Sequence, residues 1–263
     1  MVLIKFGINE MKIFVVTHKK FEVPQERIYI PIKVGKAIIS FKGNSVCDDQ
    51  GDNIAHLNDT FCEMTALYWI WKNVHVLPNE IIGMVHYRRY FKSSVGNLPI
   101  TEDEVSKILT EYDIILPKKR NYYVTTVENH YKRAHYWKDM LLVKELLSEI
   151  HPDYIPYYNI MLQSKTICLF NMFVTNGSYF NLYCNWAFPL LLELERRIDR
   201  GSYDKYQNRV IGFLAERLFN IWILKNKELK IKYISVYNSE GESFFKKGIG
   251  FIKRQYFPKK ELS

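Results

Sequence analysis

The sequence predicts an α/β fold: a mostly parallel sheet flanked by helices. Three observations lead there. Short, β-branched apolar runs (Ile13–Thr17, Ile81–Val85 and Asp113–Pro117) recur along the chain. Longer segments of helical periodicity separate them. Polar motifs, Thr17-His18-Lys19 and His86-Tyr87-Arg88-Arg89, follow the ends of two of these strands, and in parallel sheets ligands bind outside the carboxyl ends of strands.

Taken in order, Lys12–Thr17 is a buried first strand, and Ile28–Val34 and Ala37–Ile39 are short extended pieces. Asp48–Asn53 is a turn rich in residues that tolerate tight backbone geometry. Asn58-Asp59-Thr60 caps a helix expected to run to about Asn73. After the Ile81–Val85 strand, Thr101–Glu104 forms a capping box ahead of a helix to Glu111. Asp113–Pro117 is the next strand, stopped by its proline, and Lys118–Tyr123 a basic, aromatic loop. Helices are expected over Val127–His135, Met140–Ile150, Ser178–Asp199 and Val210–Lys225. Further strands are expected over Ile167–Val174 and Ile231–Val236.

The chain has 263 residues, of which 48% are hydrophobic, enough to bury the core of one domain with at most a small helical appendage. That domain is placed at 11–237, between a ten-residue N-terminal extension (1–10) and a C-terminal tail (238–263). The extension is too short and too charged, with Lys5 and Glu10, to read as a signal peptide. No apolar run is long enough to span a bilayer, so the expectation is a cytoplasmic chain. The net charge of +9 calls for an anionic partner or reflects a lysine-rich solvated surface. In the tail, lysines alternate with Phe244, Phe245, Phe251, Tyr256 and Phe257. That mixture suits peripheral attachment to an anionic membrane surface. It suits single-stranded nucleic acid equally, but no nucleic-acid motif accompanies it and no nucleic-acid partner is expected. Four cysteines (Cys47, Cys62, Cys168, Cys184) show no CxxC spacing, and read as reduced thiols rather than a metal site or disulfide framework. A nucleophile elbow and a P-loop are both lacking.

Several segments together carry a resemblance. They are Val15–Lys19, Gly51–Ile54, the Phe61–Asn73 run FCEMTALYWIWKN, the Gly83–Phe91 run GMVHYRRYF, Asn171-Met172-Phe173, Tyr183–Leu190 and Arg209–Arg217. Over roughly residues 11–235 the sequence resembles a bacterial family of capsular and exopolysaccharide clusters, long described only as a domain of unknown function. The resemblance implies a GT-A-like nucleotide-sugar transferase fold, with relatives similar to galactofuranosyltransferases that use UDP-galactofuranose. It also implies a UDP-sugar donor and a glycan acceptor, which can be one carried on a lipid pyrophosphate.

A glycosyltransferase holds a nucleotide diphosphate, stabilises its charge as it leaves, and takes a proton from the acceptor. No DxD motif follows the Ile81–Val85 strand. Arg88 and Arg89 are therefore expected to replace a metal, since guanidinium forks suit phosphate oxygens. No metal and no cofactor are expected, and only one of the two arginines reaches the ligand if the strand continues through them. Thr17, His18 and Lys19 are candidates for base, ribose or phosphate, or else a solvated loop. His86 reads as a ligand or as a hydrogen-bonded core imidazole, beside Tyr87. Asp52 and Asn53 read as sugar recognition or as a capped turn; hard-oxygen metal binding by Asp48, Asp49 and Asp52 fits no standard loop. Glu63 is expected to pair with an arginine of the HYRRY segment. Inversion needs a carboxylate base, and Glu216 is chosen over Asp113, Asp139, Glu193 and Glu195; an exposed, ion-paired helix residue is its alternative. Asn171, Met172, Tyr183 and Trp186 are then expected to line the sugar pocket, with Arg209 also on the substrate.

Overall fold

A computed structural model describes residues 11–35 and 46–240. The extended piece expected at Ala37–Ile39, the 1–10 extension and the basic tail from 241 onward lie outside the described residues.

The strands are β1 (Lys12–Thr17), β2 (Tyr29–Lys33), β3 (Val46–Cys47), β4 (Ile81–His86), β5 (Arg89–Phe91), β6 (Ile114–Pro117), β7 (Arg120–Asn121), β8 (Thr166–Ile167), β9 (Phe173–Asn176), β10 (Ile231–Ile234) and β11 (Val236–Asn238). The α-helices are α1 (Asn58–Phe61), α2 (Met64–Asn73), α3 (Glu102–Leu109), α4 (Val127–Ala134), α5 (Trp137–Ile150), α6 (Ile155–Gln163), α7 (Gly177–Arg197) and α8 (Val210–Lys225). Among the described residues a nine-stranded sheet has the order β10-β6-β9-β4-β1-β2-β3, with β5 and β11 continuing from β4 as an antiparallel ribbon. β1 is parallel to β2 and β4, β2 to β3, and β6 to β10. β9 runs against both β4 and β6. The sheet is thus mostly parallel and GT-A-like, as expected, and because β9 is reversed, its start lies level with the carboxyl ends of its neighbours.

Period-two alternation divides the core between the two faces of the sheet. Phe14, Val16, Ile32, Met84 and Leu116 pack toward α2 and α4–α8. Ile13, Val15, Val85, Ile115 and Val174 pack toward α3 and the β5–β11 ribbon. β1 is buried on both sides, which is why it reads as a continuous apolar run. Where β4 meets β9, Gly83 is required: a Cβ there would lie 2.7 Å from Val174 Cγ2 and 2.9 Å from the Phe173 carbonyl.

Four departures from the sequence reading matter. The helix expected over 58–73 breaks at Cys62, whose φ is +54°. The strand expected over Ile167–Val174 also breaks, at Phe170 (φ +81°) and Asn171 (φ +50°). The strand expected to end at Val236 turns after Ile234, and β11 pairs instead with β5. α6, rich in aromatic and β-branched residues and begun by Pro156, has no counterpart in the sequence reading; its mixed composition hides a helical pattern.

Candidate active site

The three breaks in regular structure help build one polar cup at the carboxyl edge of the sheet. β1 ends there in Thr17, whose buried hydroxyl bonds the backbone of Lys19 and so turns the chain sharply. β4 ends at His86, and Tyr87-Arg88 form a tight turn, so that His86 pairs directly with Arg89. The strand does not continue through the arginines; the turn splits them. Arg88 lies over the Tyr87 ring (5.6 Å), as does Lys19 (5.0 Å), and the His18 ring meets the same ring edge-on at 5.1 Å. Tyr87 thereby gathers three basic side chains. Arg89 instead lies 4.4 Å over the Phe170 ring.

The strained pair Phe170-Asn171 ties this edge to the helices. The Phe170 carbonyl accepts from His86 Nε2 at 2.6 Å, and the Phe170 N–H donates to Glu216 Oε1 at 2.7 Å. Because a carbonyl only accepts, His86 carries its proton on Nε2. Asn171 Nδ2 donates to Glu63 Oε1 at 2.8 Å and to the Gly212 carbonyl at 3.3 Å. Two non-glycine residues at positive φ cost on the order of 1–3 kcal/mol each, a cost met here by fixing two carboxylates and an imidazole at once. α8 approaches Cys62 closely enough that a Cβ on Gly212 would sit 3.3 Å from Cys62 Sγ. That sulfur accepts from Arg209 Nε at 3.2 Å.

The electrostatics follow from burial and from this crowding of cations. Burial, then Arg88, Lys19 and Arg209, hold His18 below the usual histidine range. Burial also lowers His86, partly countered by Glu63 and by its bond to the Phe170 carbonyl. Burial raises Glu216, with Arg217 and the Phe170 N–H opposing. Burial raises the Cys62 thiol to about 11 despite Arg209, so it is no nucleophile at neutral pH. Glu240 bridges Lys19 (2.6 Å) and Arg88 (3.6 Å) at the rim, holding a carboxylate between the two cations.

The structure therefore brings together His18, Lys19, Glu63, His86, Tyr87, Arg88, Arg89, Asn171, Arg209 and Glu216, with Thr17 beneath. Others it places elsewhere. Tyr183 is buried in the core against Phe173, Phe219 and Trp222. Trp186 stacks on Tyr154 at 4.8 Å, since the face of α7 that carries both packs inward. Met172 is fully buried on the α3 side of the sheet. Asp52 and Asn53 form the capped turn: Asp52 Oδ1 accepts from Tyr68, and Asn53 bonds the backbone at Asp49, Gly51 and Ala55. Glu63 accepts a hydrogen bond from Asn171 Nδ2. Glu216 is not an exposed helix carboxylate; it is bonded through Oε1 to Phe170 and through Oε2 to Arg217, itself 2% exposed. Phe170, Cys62 and Glu240 join the site without a signal in the sequence. The first two act through unusual backbone and a thiol contact, and Glu240 acts through a long-range ion pair; none of these leaves a local pattern. Among the described residues no group of three or more His, Cys, Asp or Glu is placed to hold a metal ion.

A GT-A-like sheet with a basic cup set over two partly buried carboxylates defines the class of domain. The chain belongs to the family described as Domain of unknown function (DUF4422), which matches residues 12–227. Among solved structures it is similar to apo WbbM, a bifunctional glycosyltransferase, at 29% sequence identity and a TM-score of 0.79. The match covers 90% of this chain and 46% of WbbM, so the chain spans about half the length of that structure. Among curated proteins none matches. Among the described residues no helix is long and apolar enough to cross a membrane.

Proposed function

We propose that this chain is a glycosyltransferase that moves a hexose, galactofuranose being the first candidate, from a UDP-sugar to a glycan acceptor of capsule, O-antigen or exopolysaccharide, with inversion and without a metal. The observation that carries the reading is the convergence of His18, Lys19, Arg88 and Arg209 above Glu63 and Glu216. The resemblance to WbbM, a bifunctional glycosyltransferase, supports the same class.

In this reading the cations bind the UDP pyrophosphate and stabilise the charge it gains as its bond to the sugar breaks. Preorganised charge of this kind is often the largest catalytic contribution. The acceptor oxygen forms the new bond to the sugar and passes its proton to a carboxylate. Glu63 suits that role better than Glu216. Glu216 has both oxygens engaged, whereas Glu63 Oε2 carries no hydrogen bond among the described residues. Glu216 then acts by positioning Phe170. Asn171 Oδ1, buried without a partner among the described residues, offers an acceptor to a sugar hydroxyl. Attachment to an anionic membrane face through the basic tail, near a lipid-pyrophosphate-linked acceptor, completes the proposal.

The test is calorimetric titration with UDP, with and without magnesium or manganese, followed by a transfer screen of UDP-hexoses. Metal-independent binding that Arg88→Ala and Arg209→Ala each weaken at least tenfold is expected, with turnover in which Glu63→Gln loses at least a hundredfold in kcat. Binding that requires metal would overturn the cationic reading. UDP binding without transfer from any UDP-hexose would leave a nucleotide-sugar-binding module instead.

A further inference from the structure

A second basic site lies at the other end of the β5–β11 ribbon from Arg88. There a cavity of about 410 Å³ opens between α3, the end of β5 and the carboxyl ends of β6 and β10. Lys92, Lys107, Lys118 and Lys232 line it. They come from four separate elements: the residue after β5, α3, the residue after β6, and β10. Among the described residues none of the four is in a salt bridge. The cavity's one carboxylate, Glu104, is committed elsewhere. It accepts from the Ser94 and Thr101 backbone N–H groups at 2.7 and 3.0 Å, and these bonds, with those from the Ser93 and Ser94 side chains, overcome burial and hold its acid down at about 2.

Four ammonium groups against one engaged carboxylate leave a strong positive excess. A singly charged carboxylate ligand would not neutralise it, whereas a diphosphate would. The walls between the lysines are apolar, formed by Ile100, Ile108 and Ile234. The volume lies within the roughly 300–1,000 Å³ usual for small-molecule sites, and is more than an inorganic anion fills. We propose that this cavity binds a diphosphate group carried on an apolar chain, with the lysines around the phosphates and the isoleucines along the chain. The inference stands apart from the UDP reading, because it uses none of the residues of the cup.

The test is calorimetric titration of the full chain with geranyl diphosphate and, separately, with inorganic pyrophosphate. The proteins are wild type, Lys92→Ala/Lys232→Ala, Lys107→Glu and Arg88→Ala/Arg209→Ala. Lys107 is exposed on α3, so its variant keeps the test valid if the double lysine variant folds poorly. With saturating UDP filling the cup, the expected result is loss of about tenfold in affinity per lysine removed, the scale of a charge-assisted hydrogen bond, and the arginine variant keeps this lysine-dependent component of binding. Geranyl diphosphate should bind at least tenfold more tightly than pyrophosphate. Binding that survives the lysine changes but disappears with the arginines would overturn the site. Equal affinity for the two probes would overturn the apolar chain.

Discussion

Asn171 donates its side-chain amide to Glu63 Oε1 at 2.8 Å, joining residues 108 positions apart. The bond exists because Asn171 holds φ at +50°, a conformation asparagine tolerates better than most residues. Asn171→Gly keeps that backbone at little strain but removes the amide; Asn171→Ala removes the amide and adds a conformational cost of about 1 kcal/mol. If Asn171 serves chiefly to aim Glu63, both variants should lose transfer to a similar degree, by tenfold or more, while only Asn171→Ala shows the added loss in denaturant midpoint. Full activity in Asn171→Gly would reduce the contact to packing.

Glu240 sits where a ligand anion would sit, within 2.6 Å of Lys19 Nζ and 3.6 Å of Arg88. In the proposed reading, UDP displaces it or shares its cations. All three side chains are largely exposed, so the ion pairs contribute little to stability. Glu240→Gln is expected to tighten UDP binding by about two- to fivefold, with an unchanged melting temperature and a steeper dependence on salt. Weaker binding in this variant would make Glu240 a ligand-contacting residue.

How far the sequence discloses this site depends on the kind of signal. β1 and β4 are legible because each is a β-branched run buried on a parallel sheet, and the polar residues at their ends fall where such sheets bind ligands. The convergence of α8 on those ends is not legible locally; it depends on Gly212 passing close to Cys62 and on a reversed β9. Phe170 and Asn171 sit within an apolar run that reads as strand, and only tertiary bonds to His86, Glu216 and Glu63 hold them out of it. Tyr183 and Trp186 fail for the opposite reason. Aromatic residues on a long helix suit a sugar face or a core equally well, and here the core takes them.

His18 should couple nucleotide binding to proton uptake. Burial first, then the nearby Arg88, Lys19 and Arg209, lower its pKa below 6.5, so in the free protein it is neutral at pH 7. A pyrophosphate among those cations reverses their effect and raises it. As pH falls below 7 the complex then binds more protons than the free protein, and affinity rises. Titrations in buffers of different ionisation enthalpy at pH 6 should show net uptake in the wild type. His18→Gln retains the ionisation of UDP itself, so the difference between the two proteins isolates the imidazole. No difference would place His18 outside the phosphate's field.

Asp48, just after β3, is fully buried, and neither carboxylate oxygen has a hydrogen-bond partner among the described residues. Burial pushes its acid from 3.8 up to about 6, with Asp49 adding to the effect and the nearby Thr65 hydroxyl opposing it. The folded chain thus holds a proton that the unfolded chain releases. The stabilisation is complete below pH 3.8 and is lost as pH rises through 6. Above pH 6 the ionised group costs on the order of 2–3 kcal/mol, because each tenfold change in proton affinity corresponds to about 1.4 kcal/mol. Asp48→Asn, nearly isosteric and uncharged, should therefore raise the denaturation free energy by about that amount at pH 8 and leave it unchanged near pH 4. Denaturant titrations at the two pH values make the comparison. Destabilisation at pH 8 would mean that the ionised carboxylate is matched by a cation, and would point to Asp48 as part of a charged contact rather than a strained acid.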